Sequence, residues 1–189
     1  MARSIYDKQI QNRNYLSPTG FNFTIQRCPK VSFFSNTAQI PGIDLGVAVQ
    51  PTYLKDIPRP GDKLEFQDFN LRFLIDEDLS NYMQLQNWMR GMGFPESLRE
   101  IYSEISGKNS DLYNQQFYKS EEVLYSDATL EVLNSTLNPQ FLVKFYGMFP
   151  VSLSTLQFDA TENDIEYFTA DVTFKYTLYT ITDLAGNPL

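Results

Sequence analysis

Histidine is absent from the 189 residues, and cysteine occurs once, at Cys28. Without histidine, neither a Ser-His-Asp nor a Cys-His nucleophile can be assembled. A His/Cys zinc site is excluded as well. A lone cysteine makes no disulfide framework within the chain and suits a reducing compartment. Arg27 and Lys30 lie close to Cys28 and would lower a thiol pKa, yet without a histidine partner Cys28 reads as a buried or half-buried small residue. Basic residues are outnumbered, 15 Lys and Arg against 23 Asp and Glu, for a net charge of -8. That is the wrong sign for a sequence-reading nucleic-acid binder, and solubility is the ordinary meaning of such a balance. No glycine-rich phosphate loop is present. Gly91-Met92-Gly93 follows no strand and reads as a helix stop. No apolar run is long enough to span a bilayer, and the opening MARSIYDKQIQNRNYL lacks the apolar stretch of a signal peptide. Asn22-Phe23-Thr24 and Asn134-Ser135-Thr136 match the glycosylation pattern and, without such a peptide, read as chance.

Aromatic residues are what the chain has in excess, 15 Phe and 12 Tyr. That composition favours strands. The length suits one domain with a sizeable core, so residues 1–189 are read as a single domain. Residues 1–19 are polar and unperiodic, an arm ordered only by a neighbour. Residues 96–120 are polar and read as a surface insertion, with weak helical character over Ser97–Ile105.

The central stretch runs from Pro60 to Trp88. Leu64 and Phe66 alternate with polar residues; after Asp68 the alternation resumes out of phase as Phe69, Leu71, Phe73 and Ile75. A one-residue slip predicts a bulge within one strand. Asp76-Glu77-Asp78 ends that strand and faces a helix N-terminus, with Asp78 or Ser80 as N-cap. Tyr82, Leu85, Trp88, Met89 and Met92 share a helical face. Elsewhere, Phe21, Phe23 and Ile25 give a first strand. Val31 to Gln39 gives a second, after the break at Pro29. Ala128, Leu130 and Val132 give another, as do Phe141, Val143 and Phe145, ended by Gly147-Met148-Phe149-Pro150. The cleanest alternation is Phe168 to Leu178. Between Ile43 and Pro60, the prolines at 51, 58 and 60 remove ladder donors. Gly46–Tyr53 is therefore read as an edge strand leading into an extended, partly apolar loop that needs a cover, such as a partner subunit. About seven strands and one main helix, with one apolar face per strand, predict a mainly β fold. The architecture expected is an antiparallel β-sandwich or partly closed barrel, one flanking α-helix and an extended inter-subunit loop.

Few residues carry chemistry. Asp76, Glu77 and Asp78 are the obvious acid/base or metal candidates, but they read better as a helix-starting corner, with no second carboxylate group at a defined distance. Asp159, Glu162, Asn163, Asp164 and Glu166 are oxygen-rich without EF-hand spacing and read as a solvated turn. Trp88 with Met89 and Met92 forms either a binding stripe or, more ordinarily, a face packed on the sheet. No catalysis, cofactor or metal is expected.

The order of these elements resembles the tail tube proteins of contractile-tailed bacteriophages, related in plan to the tube protein of type VI secretion. The resemblance rests on Phe21-Asn22-Phe23-Thr24-Ile25 and on the turn Ala38-Gln39-Ile40-Pro41-Gly42-Ile43. It continues through Gly61-Asp62-Lys63, Phe66-Gln67-Asp68-Phe69-Asn70-Leu71, Asp76-Glu77 and Asn87-Trp88. It closes on Gly147-Met148-Phe149-Pro150, Leu156-Gln157-Phe158-Asp159 and Glu166 to Tyr179. The N-terminal arm and the insertion are longer than in the plainest members. The resemblance implies a structural virion protein: hexameric rings stacked into the inner tube of a contractile tail. Sheath, tape measure and baseplate proteins are its partners, and DNA passes through the lumen without specific binding. It implies residence in the virion tail after synthesis in the host cytoplasm, with no membrane partner. Pro41, Gly42, Val47, Val49, Tyr53 and Trp88 are the inter-subunit candidates. An alternative place for the chain is a tube-initiator or tube-terminator ring at the baseplate or neck. Outside that family, the rivals are a β-sandwich binding module using Tyr113, Phe117 and Tyr118, and an enzyme working with carboxylates alone.

Overall fold

A computed structural model describes residues 15–93, 124–158 and 167–189. Most of the N-terminal arm, the insertion at 96–120 with Tyr113, Phe117 and Tyr118, and the carboxylates from Asp159 to Glu166 lie outside the described residues. The elements are β1 (Phe21–Ile25), α1 (Pro29–Phe33), β2 (Ser35–Ala38), β3 (Ile43–Gln50), β4 (Ile57–Phe66), β5 (Phe69–Leu74), α2 (Ser80–Gly93), β6 (Ser126–Leu133), β7 (Pro139–Leu153), β8 (Thr169–Lys175) and β9 (Leu178–Thr182).

Seven strands form one antiparallel sheet in the order β1-β6-β7-β8-β5-β2, with β9 also on β7. The long strand β7 makes this possible. Its first half pairs with β6 and β9, from Leu142↔Thr182 to Tyr146↔Leu178; its second half pairs with β8, from Phe149↔Lys175 to Leu153↔Val172. Gly147 sits at the bend with φ +62, a region open to glycine and strained for other residues. The sheet folds about that bend into two facing layers and does not close into a barrel. The strands paired with it break at the same level: Tyr176 and Thr177 separate β8 from β9, and Thr177 N–H donates to Tyr146 O at 3.0 Å. The alternation from Phe168 to Leu178 is thus two strands around a corner, and the expected break after Phe145 is a bend in one strand.

Two further expectations are corrected. The second strand does not begin at Val31. Pro29 opens the short helix α1, where its fixed φ and missing N–H suit a first turn, and β2 starts only at Ser35. The bulged central strand is also not one strand. β4 and β5 belong to different sheets, and the phase slip at Gln67-Asp68 is the crossing between them. A slip of alternation in sequence does not distinguish a bulge from a change of sheet.

Phe23, Ile25, Phe69, Leu71, Phe73, Leu130, Val143, Phe145, Val172 and Phe174 fill the space between the layers. Phe69 stacks on Phe23 at 5.3 Å and contacts Phe145 at 4.8 Å. Helix α2 closes one side. Leu85 and Trp88 are its buried apolar residues, with Tyr82 and Met92 packed beside them. The helix is not capped as its acidic corner suggested. Leu79 precedes it at φ +55, and the Ser80 hydroxyl donates to the Asp76 carboxylate. The joint is held by Asn81, which is fully buried: its Nδ2 donates to Leu74 O at 2.7 Å, and its Oδ1 accepts from Tyr82 N at 2.8 Å and Asp76 N at 3.3 Å.

Candidate assembly interface

β3 and β4 stand apart from this body as a two-stranded antiparallel ribbon. Where an extended loop was expected, the prolines are inside a paired strand. Val47 faces Pro60 and Val49 faces Pro58; Leu45 faces Leu64 and Ile43 faces Phe66. Prolines two residues apart present their nitrogens to the same edge, so the ladder to β3 keeps its donors. Side chains alternate across a strand. One face of the ribbon therefore carries Ile43, Leu45, Val47, Val49, Pro58, Pro60, Leu64 and Phe66, with Asp62 between Pro60 and Leu64 in the irregular stretch. The other face carries Asp44, Ala48, Gln50, Ile57, Arg59 and Glu65.

The apolar face is uncovered within the protomer. Ile43, Leu45 and Leu64 are about half exposed, and Val47 and Val49 stand 66% and 61% exposed. With Pro58 and Pro60, exposed as well, they form one contiguous apolar patch. A two-stranded ribbon is marginal in water on its own, and a contiguous apolar patch of this size marks a contact with another molecule.

The root of the arm is built rigidly. The Tyr176 hydroxyl donates to Gln67 O at 2.8 Å, and the Tyr179 hydroxyl donates to Pro41 O at 3.1 Å. Each end of the arm is thus gripped by a tyrosine, Tyr176 from the corner between β8 and β9 and Tyr179 from β9 itself. Phe66 rests on both rings, 6.0 Å from Tyr176 and 5.5 Å from Tyr179. Gln67 N–H donates to Gly42 O at 3.0 Å, and Gln67 Nε2 donates to Asp44 Oδ2 at 3.0 Å. Burial, with Tyr179 and then Asp68 nearby, pushes the Tyr176 phenol up to about 12. It stays a donor throughout the neutral range.

Midway, the arm is kinked. The register passes from Leu45↔Leu64 to Val47↔Pro60, so Gly61, Asp62 and Lys63 face the single residue Gly46. A Cβ at Gly61 would lie 2.3 Å from Gly46 O, whereas one at Gly46 would have Lys63 O at 3.5 Å as its near neighbour. Only Gly61 is sterically obliged. The tip, Pro51 to Asp56, is held by the Thr52 hydroxyl, which donates to Lys55 O and accepts from Lys55 N. It presents Tyr53 and Leu54 to solvent.

Of the six residues singled out from the sequence, Val47, Val49 and Tyr53 are exposed on the arm. Pro41 is buried and Gly42 exposed at its root. Trp88 lies elsewhere, 1% exposed in the core. Its Nε1 donates to Leu124 O at 2.9 Å, and the Arg27 guanidinium sits 5.1 Å over its ring. It has no face left for a neighbour. Ile43, Leu45, Leu64, Phe66 and the two clamping tyrosines were missed, although the alternation from Ile43 to Val49 was visible once prolines are allowed on one edge.

Elsewhere there is little chemistry. Cys28 is buried, and its thiol is pushed up to about 12 by burial, with Arg27 opposing. Among the described residues no three Asp, Glu or Cys side chains gather as a metal site. No described helix is long and apolar enough to cross a membrane.

A family profile described as phage tail tube protein matches residues 4–182. The tail tube terminator protein of Enterobacteria phage T4 is 25% identical over 174 residues, covering 89% of each chain. The sheath/tube terminator of an extracellular contractile injection system superposes with a TM-score of 0.57 at 16% identity, over 90% of this chain and 99% of its own. The sheath–tube complex of such a system gives 0.57 at 14% identity, over 97% and 100%. At these identities the structures share the fold.

Proposed function

This chain belongs to the phage tail tube protein family, and on that footing we propose that it is the tube-terminator ring of a contractile tail. As a tail tube relative it is a structural protein of the tail. The sequence reading put the tube body first and a terminator second. That order is reversed by one observation: the relative matched over 89% of both chains is a tail tube terminator. In this reading the chain forms a closed ring, hexameric in keeping with the family resemblance, and the ring seats on the last ring of the tube. The arm supplies the adhesive surface, since its apolar face is open on the protomer. Sheath, tape measure and baseplate proteins are the surrounding partners, and DNA passes through the ring during ejection.

The experiment is electron microscopy of gold-labelled protein added to preformed tail tubes from the same phage. Label confined to one tube end is expected, with tube growth halted there. Label distributed along the tube wall would return the chain to the tube body. No association with tubes would remove it from the tube altogether.

A further inference from the structure

Regular pairing is interrupted on both sides of β7 at one level. On the β6 side, Ser126 pairs with Met148 and Ala128 with Phe145, so the single residue Asp127 faces both Tyr146 and Gly147. Two residues against one is a bulge, which bends and re-aims the strand that carries it. On the other side, pairing passes from Tyr146↔Leu178 to Phe149↔Lys175 and leaves Tyr176 and Thr177 between them. A corner with so little ladder needs other bonds to fix its angle. Two are present. Thr177 N–H donates to Tyr146 O at 3.0 Å, and Gly147 N–H donates to Asp127 Oδ1 at 3.0 Å. The second is charge-assisted and grips the left-handed residue itself. A Cβ at Gly147 would lie 2.8 Å from Thr177 Oγ1, so the two chains meet closely there.

The arm hangs on this corner. Tyr176 directly precedes Thr177, and its hydroxyl holds the chain at Gln67, just after β4. Tyr179, two residues beyond Thr177, holds it at Pro41, just before β3. The Phe145 ring lies 5.2 Å from Tyr176 and 5.8 Å from Tyr179, so both clamps rest on the strand that bends at Gly147. Asp127 makes no bond to the arm. It acts on the corner from which both clamping side chains project.

We propose that Asp127 is a positioning residue: its carboxylate fixes the corner at Gly147 and with it the angle at which the arm leaves the body. Its consequence for assembly rests on the reading of the arm as a contact between subunits. In that case the arm angle contributes to the rotation from one subunit to the next. A head-to-tail contact closes into a ring only when that rotation divides the circle, and otherwise runs on as an open helix. An error at the corner is repeated at every subunit. A change at Asp127 therefore acts on ring closure without altering the surface that makes the contact.

Two spin labels on the full chain, below its assembly concentration, read the angle. One sits at the arm tip through Tyr53→Cys and one on the body through Thr24→Cys; Cys28 is buried. The labelled parent should give a single narrow distance. Asp127→Ala should lose it, by a moved mean or a broadened distribution, while a body pair, Thr24→Cys with Leu184→Cys, keeps its distance. Asp127→Asn retains an acceptor oxygen and should restore the parent distance. Above the assembly concentration, Asp127→Ala should give open or mixed-size assemblies and Asp127→Asn closed rings of the parent's size. An Asp127→Ala chain that keeps the narrow distance overturns the proposal, as does one that closes rings like the parent. An Asp127→Asn chain that behaves like Asp127→Ala also overturns it. If Asp127→Ala does not fold, the Gly147 amide of the unmodified chain decides: bonded to Asp127 it should exchange slowly, and free exchange overturns the proposal. Absence of rings in the unmodified chain counts against the tube-terminator reading; the label distances, taken on the protomer, still decide for or against Asp127.

Discussion

Asn81 joins the end of β5 to the start of α2 with three hydrogen bonds made inside the core. Its amide both donates to and accepts from the backbone there. Asn81→Ala should therefore cost about 1–3 kcal/mol in urea unfolding, because buried backbone groups lose their partners. A loss within the range of a neutral surface change would show the joint relaxing to water. Tyr176 gives a pH signature. Its folded pKa, about 12, is raised above its ordinary 10.0. Its contribution is then fully present below pH 10 and is lost as pH rises from 10 toward 12. Wild type should lose more melting temperature over that window than Tyr176→Phe, which has no phenol to ionise. Parallel curves would place the hydroxyl outside the stability of the arm root. At this scale the sequence was informative about what is missing: the absence of histidine was plain. The role of Asn81 was not, because a polar residue at a helix start looks the same whether it faces water or a buried carbonyl.

At the scale of elements, the arm shows what proline does when its spacing matches the pleat. Read singly, Pro58 and Pro60 are breakers. Two apart on one edge, they leave the inner ladder whole and extend the apolar face of the valines opposite. The alternation of Ile43, Leu45, Val47 and Val49 was legible, but the partner strand was not, since register is a tertiary property. The same holds for Phe66 and Phe69, whose broken alternation looks alike for a bulge and for a crossing between sheets. Two expectations follow for the arm. The double substitution Val47→Asp, Val49→Asp should block ring formation while the protomer still melts cooperatively, within about 0.5 kcal/mol of wild type, as exposed positions allow. Gly61→Ala should reduce assembly, because its Cβ meets Gly46 O at 2.3 Å and the arm must change direction; Gly46→Ala, whose Cβ makes only an ordinary contact with Lys63 O at 3.5 Å, should not. Sedimentation against thermal unfolding separates the two effects. Equal behaviour of the two glycine variants would mean that the kink does not set the contact.

For the whole molecule, charge bears on the conduit. The order of elements across the chain was legible and led to the family; the place along the tail was not, because it depends on which exposed surfaces meet a neighbour. The solvent side of the sheet is rich in hydroxyls, with Thr24, Thr129, Lys144 and Thr180 aligned across four strands. Two ion pairs lie on it: Arg72 is bonded to Asp171 at 2.8 Å and Lys175 lies 3.8 Å from Asp68. Phosphate binding gains from counterion release only where free cations cluster. The 15 basic residues are dispersed among 23 acidic ones along the sequence, so the conduit proposed above is expected to offer a passing duplex no such cluster. Titration of the assembled protein with duplex DNA at physiological salt should give a dissociation constant no tighter than the roughly 10⁻⁴–10⁻⁶ M of non-specific binders. Submicromolar binding that weakens steeply with salt would mean that a basic surface forms on assembly, and the ring would then grip DNA where a conduit has to let it slide.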